Sequence, residues 1–549
     1  MHCNSSIIDE LNMKIEALTM NNEALTMNNE ALTTKIEEFN TKNEELNAKN
    51  EEQARELKRK DELIKLLKSE KFGSKSEKTP PVEGQPPLPG IFDEPEVVSR
   101  LADLADSTGI VEIKAYSRKT AGRKPLSADL PRETILHDIP EEQKVCPCGA
   151  ALTRMGEEVS EKLRYIPAKC IVERHVRPKY ACRKCEGTED NGPTVKIAPM
   201  PPQLFPQSIA TPSLVAHVVV AKFADALPLY RQEQQFSRMG VEVSRTTQAT
   251  WMIKTDQRMA PLRELMVREI RSGPMVNIDE TPVQVLNEPG RANTTKSYMW
   301  VFRGGSIQRP SVIFHYAPTR AGSVPTDFLG PDYMGIIQTD GYQGYDQLGQ
   351  RPGIIHAGCL VHARRKFVEV EKASGPNAKA GLAHQVIELI RLVYAVESMA
   401  DARGLDVDQR MALRQEKTKP VMAGIKELLD IGVVTSPPKG LLGKAIGYAL
   451  GQWPKLLVFL DHGIVRPDNN WIENDIRPFA VGRKNWMFSG CPAGAAASAS
   501  LYSFIVTARA NGLEPFAWLN YVLARLPLAS TEAEFKALLP QHIDRSLLA

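Results

Sequence analysis

At 549 residues the chain is too long for one compact core, so several domains are expected. Its 69 Lys and Arg against 66 Asp and Glu leave a net charge of +3, so composition alone does not announce a nucleic-acid partner. Eight cysteines are too few for a disulfide scaffold, and no apolar run resembles a signal peptide or a bilayer span. A soluble protein of a reducing intracellular compartment, with no membrane partner, is expected. Basic residues nevertheless cluster, at Arg118-Lys119, Arg123-Lys124, Arg364-Arg365-Lys366 and Arg483-Lys484. Clusters matter more to phosphate binding than net charge does.

Residues 8–70 carry a heptad pattern. Leu11, Leu18, Leu25, Leu32, Phe39 and Leu46 recur every seven residues, and Leu67 resumes the register. The second seam reads Ile15, Asn22, Asn29, Ile36, Asn43, Asn50, Leu57 and Ile64. A buried Asn at this seam costs stability but pairs best across two parallel strands, so a parallel coiled-coil homodimer is expected. The alternative is a solvated single charged helix, which has no need of a sevenfold Leu repeat.

Gly, Ser, Lys and Pro then dominate, and residues 71–135 read as a basic, Pro-rich linker. Within it, Gly122-Arg123-Lys124-Pro125 suits an arm entering an AT-rich minor groove, or equally a solvated basic linker. Over 136–198, Cys146-Pro-Cys148 and Cys182-Arg-Lys-Cys185 read as the two knuckles of a zinc-ribbon-like module. Four thiolates would close a structural site with no open position. The first pair is one residue tighter than usual, and Cys170 or His175 could substitute as a ligand. Reduced cysteines in a small β module are the alternative.

Residues 199–272 lack strand alternation and read as a helical domain. Leu229–Gly240 followed by Val241–Trp251, with Ser244 as N-cap, resembles a helix-turn-helix. Its second helix would offer Arg245, Thr246, Thr247 and Gln248 to DNA. An ordinary αα-hairpin remains the competing reading.

After Pro274 the pattern turns to strands. Met275–Leu286, Ser297–Phe302 and Ser311–Tyr316 suggest antiparallel strands. Gly335–Asp340 reads as a buried strand ending in Asp-Gly, and Gly353–His362 as a fifth strand running into a basic helix. An α/β core over 273–371, of the ribonuclease-H-like kind, is plausible on this order. Asp279 and Asp340 each close an apolar, β-branched run, where an unpaired carboxylate is expensive. A hard divalent ion such as magnesium would turn that cost into binding. Residues 372–460 read as a helical insertion, 461–510 as the second part of the core, and 511–549 as a C-terminal helical segment. Glu473, near the start of a helix in the second part, is a third acid. Asn470 and Glu473 also fit a capping box, and Asp468 and Asp475 are rivals that spacing leaves open. Pro478 is expected to kink or end that helix.

Several strings together carry a resemblance. Asn469-Asn-x-x-Glu473-Asn-x-Ile-Arg477-Pro and Gly482-Arg-Lys-Asn-Trp486-x-Phe-Ser-Gly490 resemble those of the insertion sequence 66 family of bacterial transposases. So do Ile278-Asp279-Glu-Thr281, Thr339-Asp340-Gly-Tyr342, Phe72-Gly-Ser-Lys-Ser-Glu-Lys78, Gly122-Arg-Lys-Pro-Leu126, Val176-Arg-Pro-Lys-Tyr180 and Ala510-Asn-Gly-Leu-Glu-Pro515. They occur in order along nearly the whole chain. The resemblance selects Asp279, Asp340 and Glu473 as a catalytic triad of the DDE type, holding two Mg2+ or Mn2+ ions. It implies a DNA transposase that cleaves transposon ends and joins a freed 3′-hydroxyl to target DNA. Arg123, Lys124, Arg245, Thr246, Gln248, Arg477, Arg483 and Lys484 are its expected DNA contacts, and Cys146, Cys148, Cys182 and Cys185 its zinc ligands. The implied partners are terminal inverted repeats, target DNA and accessory proteins of the same element, in a bacterial cytoplasm at the nucleoid. Cys359-x-x-His362 resembles a motif that several transposase families carry after the second Asp, expected to position the core. A catalytically inactive, transposase-derived DNA-binding regulator is the alternative function.

Overall fold

The structure, a computed structural model, describes residues 3–72, 132–134, 169–181, 195–374 and 381–548. The chain separates into two compact units, Met1–Gln85 with Lys179–Ala549, and Pro86–Pro178. The described part of the second unit, 132–134 and 169–178, forms neither helix nor strand.

In the first unit, α1 (Cys3–Phe72) is one helix of 70 residues, which spans about 105 Å at the standard rise. Glu-to-Lys pairs one turn apart, such as Glu10–Lys14 and Glu56–Lys60, both at 3.0 Å, support it locally. The heptad residues Leu18, Leu25, Leu32 and Phe39 are exposed along it. Strands β1 (Lys179–Ala181) and β2 (Val195–Ile197) pair antiparallel and flank the second cysteine pair.

Three helices precede the sheet: α2 (Pro212–Phe223), α3 (Leu229–Arg238) and α4 (Arg245–Ser272). Ser244 caps α4, its hydroxyl accepting the Thr247 N–H at 3.1 Å. Gly240 takes φ +79° in the turn between α3 and α4, where a side chain would be strained. Trp251, Met252, Met259, Leu262, Met266 and Ile270 form the buried stripe of α4, at the three- and four-residue spacing of one helix face. This stripe joins the core beneath the sheet.

The sheet has the order β5-β4-β3-β6-β7. Strands β3 (Met275–Val285), β4 (Lys296–Gly305) and β5 (Pro310–Ala317) form an antiparallel meander. Strands β6 (Gly335–Gln338) and β7 (Ile354–Ala357) continue it in parallel on the other side of β3. The short helix α5 (Ser323–Leu329) connects the two halves. The fifth strand is shorter than the 353–362 expected, because Leu360 already begins a helix, α6 (Leu360–Ser374).

The edge of β3 that faces β6 is interrupted. β6 pairs with Met275, Val276 and Asn277, and the two-residue β8 (Phe488–Ser489) pairs with Gln284 and Val285. Between them, residues 278–283 have no strand neighbour on that side. Pro282, which has no N–H, lies in this stretch, where no ladder partner requires one.

Beyond α6, the helices α7 (Leu382–Ala402), α9 (Lys419–Thr435) and α10 (Leu441–Asp461) share a second apolar core with α6, while Leu413 of α8 (Val407–Leu413) packs on Val396 and Ala400 of α7 in a smaller cluster. A buried ion cluster ties them together. Glu397 accepts from Arg410 at 2.9 Å and Arg414 at 2.7 Å, and the fully buried Arg414 also donates to the Phe459 carbonyl at 2.6 Å. The segment leaves and returns at one place: the Gly358 N–H donates to the Lys455 carbonyl at 2.9 Å, and the Leu360 N–H to the Pro467 carbonyl at 2.8 Å.

The chain then forms α11 (Asn470–Trp486), α12 (Pro492–Ala510), α13 (Pro515–Arg525) and α14 (Glu532–Ala537). Helix α12 lies along the outer edge of β5 and completes its hydrogen bonding. Ser503 accepts the Phe314 N–H at 2.8 Å, Thr507 accepts the Val312 N–H at 2.9 Å, and Asn511 donates to the Pro310 carbonyl at 2.9 Å. An otherwise open strand edge is covered by side chains one turn apart. Among the described residues, no helix is long and apolar enough to cross a membrane.

Candidate active site

Asp279 sits at the first residue pair of β3 beyond its contact with β6, at the interrupted edge. Its carboxylate accepts the Glu280 N–H at 2.8 Å. Burial pushes its pKa well above the ordinary carboxylate range. The charge of Glu280 adds to this, the hydrogen bond from the Glu280 N–H opposes it, and the charges of Asp340 and Glu473 push further upward. Two acids distant in sequence thus reach Asp279 with their charge.

Glu280, the next residue, points the other way and is neutralised there. Arg320 donates to it at 2.6 Å, and the Tyr345 hydroxyl also hydrogen-bonds it. Burial raises the Glu280 pKa, and these two partners pull it back. Arg320 in turn stacks on Tyr342, 3.8 Å from the ring centroid.

Asp340 stands two residues beyond the end of β6 and accepts the Tyr342 N–H at 2.9 Å, an Asx-type turn. The next residue must be small. A Cβ on Gly341 would stand 2.4 Å from the Tyr448 hydroxyl, so α10 reaches over the turn that carries Asp340.

Glu473 occupies the first turn of α11. The expected capping box is absent: the N-cap is Asn469, and no side chain caps the helix. Asn469 is engaged elsewhere, its amide donating to the Ile278 carbonyl at 3.2 Å on the interrupted edge of β3. Near the other end of α11, Arg483 bonds Thr281 at 3.2 Å and the Pro282 carbonyl. The helix therefore substitutes for the missing strand through side chains. It also runs through Pro478 to Trp486, so of the two expected effects of the proline, ending the helix does not occur. The ring replaces an N–H within the helix, and packing of Ile476, Phe479 and Gly482 holds both halves in place. Gly482 permits the closest approach, since a Cβ there would stand 2.8 Å from the Tyr502 hydroxyl.

The rivals of Glu473 are engaged differently. Asp475 is buried and accepts from Arg303 at 2.7 Å. Burial pushes its pKa up, and Arg303 pulls it partway back. Asp468 accepts the Asn470 N–H at 3.0 Å, and burial leaves its pKa raised. Glu473 instead leaves Oε1 buried without a hydrogen-bond partner.

Helix α6 faces it. His362 Nδ1 stands 3.8 Å from Glu473 Oε1, and Arg365 stands 4.0 Å from Oε2. Burial pushes the His362 pKa down, and the Glu473 charge opposes this. Cys359, His362 and Glu473 each bring one ligand atom within 4.8 Å of one another. Cys359 is otherwise occupied. Burial pushes its thiol up to about 12, and its sulfur accepts the N–H of Asn469 at 3.3 Å and that of His362. A neutral thiol that satisfies two helix-start N–H groups joins α6 to α11 and is poorly suited to metal. The oxygen set of Asp279, Asp340 and Glu473 is different: mutually repelling carboxylates, one with an unsatisfied buried atom, fit a hard divalent cation.

The sequence pattern alone does not single out Asn277, Gln338 and Asn469, buried amides beside these acids. A signal is present nonetheless, since Asn277-Ile-Asp279 and Gln338-Thr-Asp340 share the order amide, one residue, Asp.

Of the expected DNA contacts, Arg245 and Thr246 are exposed at the start of α4, and Arg477 and Lys484 are exposed on α11. Gln248 is not available. It is fully buried and donates to the Val243 carbonyl at 3.0 Å, because it lies on the core-facing side of α4 and closes the turn before it. Arg483 is half-buried against β3. Arg123, Lys124, Cys146, Cys148, Cys182 and Cys185 lie outside the described residues. The substitute ligands considered for zinc, Cys170 and His175, are both exposed.

Residues 207–497, from the helices before the sheet to the start of α12, match the family model described as "Transposase IS66 family". The chain belongs to this family. Further models of the IS66 transposases match along it: the zinc-finger binding domain over 143–186, which contains both cysteine pairs, and the C-terminal element over 503–541. A model described as "Transposase C of IS166 homeodomain" matches 61–135. Similar proteins occur in Sinorhizobium fredii (strain NBRC 101917 / NGR234). Uncharacterized protein y4jD is 36% identical over 431 residues, covering 76% of this chain and 81% of that protein. Uncharacterized protein y4qI is 31% identical over 497 residues, covering 87% of each. The IS66 assignment supports a transposase role, a zinc-binding module, DNA as partner and a divalent metal.

Proposed function

We propose that this IS66 transposase cleaves transposon ends and transfers the freed 3′-hydroxyl to target DNA at a centre formed by Asp279, Asp340 and Glu473. The observation that carries this reading is geometric: Asn469, one helical turn before Glu473, and Gln338, two residues before Asp340, both bond Asn277, two residues before Asp279 at the interrupted edge of β3. The strand order, three antiparallel strands followed by two parallel ones, supports a ribonuclease-H-like core.

The three carboxylates would hold two Mg2+ or Mn2+ ions. Such a pair activates the attacking oxygen and stabilises the leaving one in an in-line displacement at phosphorus. Asp279 would offer oxygens from β3, Asp340 from the turn after the neighbouring β6, and Glu473 from the helix that lies along the interrupted edge. Arg365, beside Glu473, is placed to meet a phosphate oxygen, with Arg477, Arg483 and Lys484 on α11 further along.

The other modules take supporting roles in this proposal. Two copies of α1 pair as a parallel coiled coil. Zinc bound by Cys146, Cys148, Cys182 and Cys185 orders the module that precedes the helical domain. That domain, with Arg245 and Thr246 exposed, contributes to recognition of the terminal repeats, together with Arg123 and Lys124. The helices between α6 and α11 form the insertion of the core, and companion proteins of the same element assist at the nucleoid.

The test uses the full chain and labelled DNA carrying the ends of its own element. Asp279→Ala, Asp340→Ala and Glu473→Ala should each abolish Mg2+-dependent cleavage and joining while end binding persists. Retained cleavage in any of the three would remove that residue from the centre.

A further inference from the structure

Side chains alternate across a strand, so residues two apart share a face. Asn277 therefore shares a face of β3 with Asp279, and Gln338 precedes Asp340 by the same step at the end of β6. In a helix the equivalent step is one turn, and Asn469 stands that far before Glu473. All three amides are buried, at 4%, 0% and 1% exposure.

They bond to one another. Asn277 Nδ2 donates to Gln338 Oε1 at 3.0 Å and to Asn469 Oδ1 at 2.7 Å. Gln338 Nε2 donates to the carbonyls of Gly358 at 3.2 Å and Arg466 at 2.7 Å. Asn469 Nδ2 donates to the Ile278 carbonyl at 3.2 Å. Asn277 of β3 is thereby joined to the end of β6 on one side and to the N-cap of α11 on the other. The chain segments before α6 and before α11 are held by the same bonds.

Apolar side chains of similar volume would also fill this space. They would not fix one element along another, because packing is not directional and hydrogen bonds are. This matters most for α11, since no strand ladder sets its place along β3. The three carboxylates also repel one another, which drives their elements apart unless something opposes it.

We propose that Asn277, Gln338 and Asn469 are positioning residues that hold the three acids at the separation a divalent ion requires, and so set metal affinity. This inference rests on the assignment of Asp279, Asp340 and Glu473 made above. Hydrogen-bonded groups behind metal ligands commonly change metal affinity or activity by about 10- to 100-fold when removed.

The test compares the full-length wild-type protein with Gln338→Met, which keeps shape and removes the bonds, and Asn277→Gln/Gln338→Asn, which redistributes one methylene between the two partners. Mn2+ binding is measured by calorimetry, and single-turnover end cleavage at saturating metal. Gln338→Met should bind Mn2+ about 10- to 100-fold more weakly and cleave about 100-fold more slowly, with end binding unchanged. The double variant should recover part of both losses. Should Gln338→Met fail to fold, Asn469→Ser is read by the same two measurements. Wild-type Mn2+ affinity and cleavage in a folded variant, with only a lower melting temperature, would overturn the proposal. Asp279→Asn is run alongside. If it loses Mn2+ binding and cleavage while the amide variants keep both, positioning alone fails; if it retains cleavage, the acid assignment fails.

Discussion

Arg303 and Asp475 are joined at 2.7 Å between β4 and α11, two residues beyond Glu473 and on the inner side of the helix. The pair spans the sheet and the helix that lies against it. It gives Asp475 a hydrogen-bonded partner, whereas Glu473 has only the more distant His362 and Arg365, at 3.8 and 4.0 Å. Asp475→Ala should therefore destabilise the protein by about 3 kcal/mol, because it strands a largely buried guanidinium. Urea denaturation would show this, and cleavage per folded molecule should fall far less than in Glu473→Ala. Equal loss of cleavage in the two variants would count against the distinction.

Asp279 predicts a trade between stability and activity. Its folded-state pKa is raised, so its contribution to stability is present at low pH and is lost as pH rises through the folded value. Asp279→Asn should raise the melting temperature of the metal-free protein by a few degrees at neutral pH. The gain should vanish in acid, where Asp279 is protonated. A melting series in chelator from pH 4 to 8 would check both; a lower melting temperature at neutral pH would refute the argument.

The opposite sign applies to Glu397 and Asp401. Burial alone would raise the Glu397 pKa, but Arg414 and Arg410 outweigh it and hold it below the usual range; Arg466 and Arg410 do the same for Asp401. Their stabilisation is present above the ordinary carboxylate pKa and is lost as pH falls through the lowered values. The urea midpoint should drop between about pH 5 and pH 3. Glu397→Gln should flatten that dependence and cost about 3 kcal/mol at neutral pH by leaving Arg414 buried beside a neutral partner.

The exposed heptad seam of α1 predicts a concentration-dependent dimer. Leu25→Lys with Leu32→Lys should shift the full chain to monomer in sedimentation equilibrium. Asn22→Ile with Asn29→Ile should stabilise the assembly while admitting higher states, since buried Asn is what disfavours them. A monomeric wild-type protein at micromolar concentration would exclude pairing through α1.

Zinc should be present at about one ion per chain in purified protein by elemental analysis, because four thiolates close one tetrahedral site. Cys182→Ser with Cys185→Ser should remove it. Zinc content unchanged in that variant would place the metal elsewhere.

Legibility in the sequence was uneven for physical reasons. The Ser244 cap, the three antiparallel strands and the strand before Asp340 are local features, written in side-chain chemistry and alternation, and each stands where the pattern puts it. Glu473 was not separable from Asp475 by pattern, since what distinguishes them is whether Arg303, distant in sequence, reaches one of them. Gln248 was misread because its neighbours Arg245 and Thr246 are exposed while it turns inward, a matter of helix phase against a tertiary core. The capping box open to Asn470 and Glu473 does not form because the helix begins one residue earlier than that box requires, with Asn469 as N-cap. Pro478 is tolerated because packing on both sides outweighs one lost hydrogen bond.

The adjoining bonds from Gly358 to Lys455 and from Leu360 to Pro467 close the helical excursion at its base. Loop-closure entropy grows only slowly with the length enclosed. Segments of quite different size could therefore occupy this place in related chains while the third acid keeps its address. Tyr448, leaning over Gly341, is where such a segment would still be felt by the chemistry.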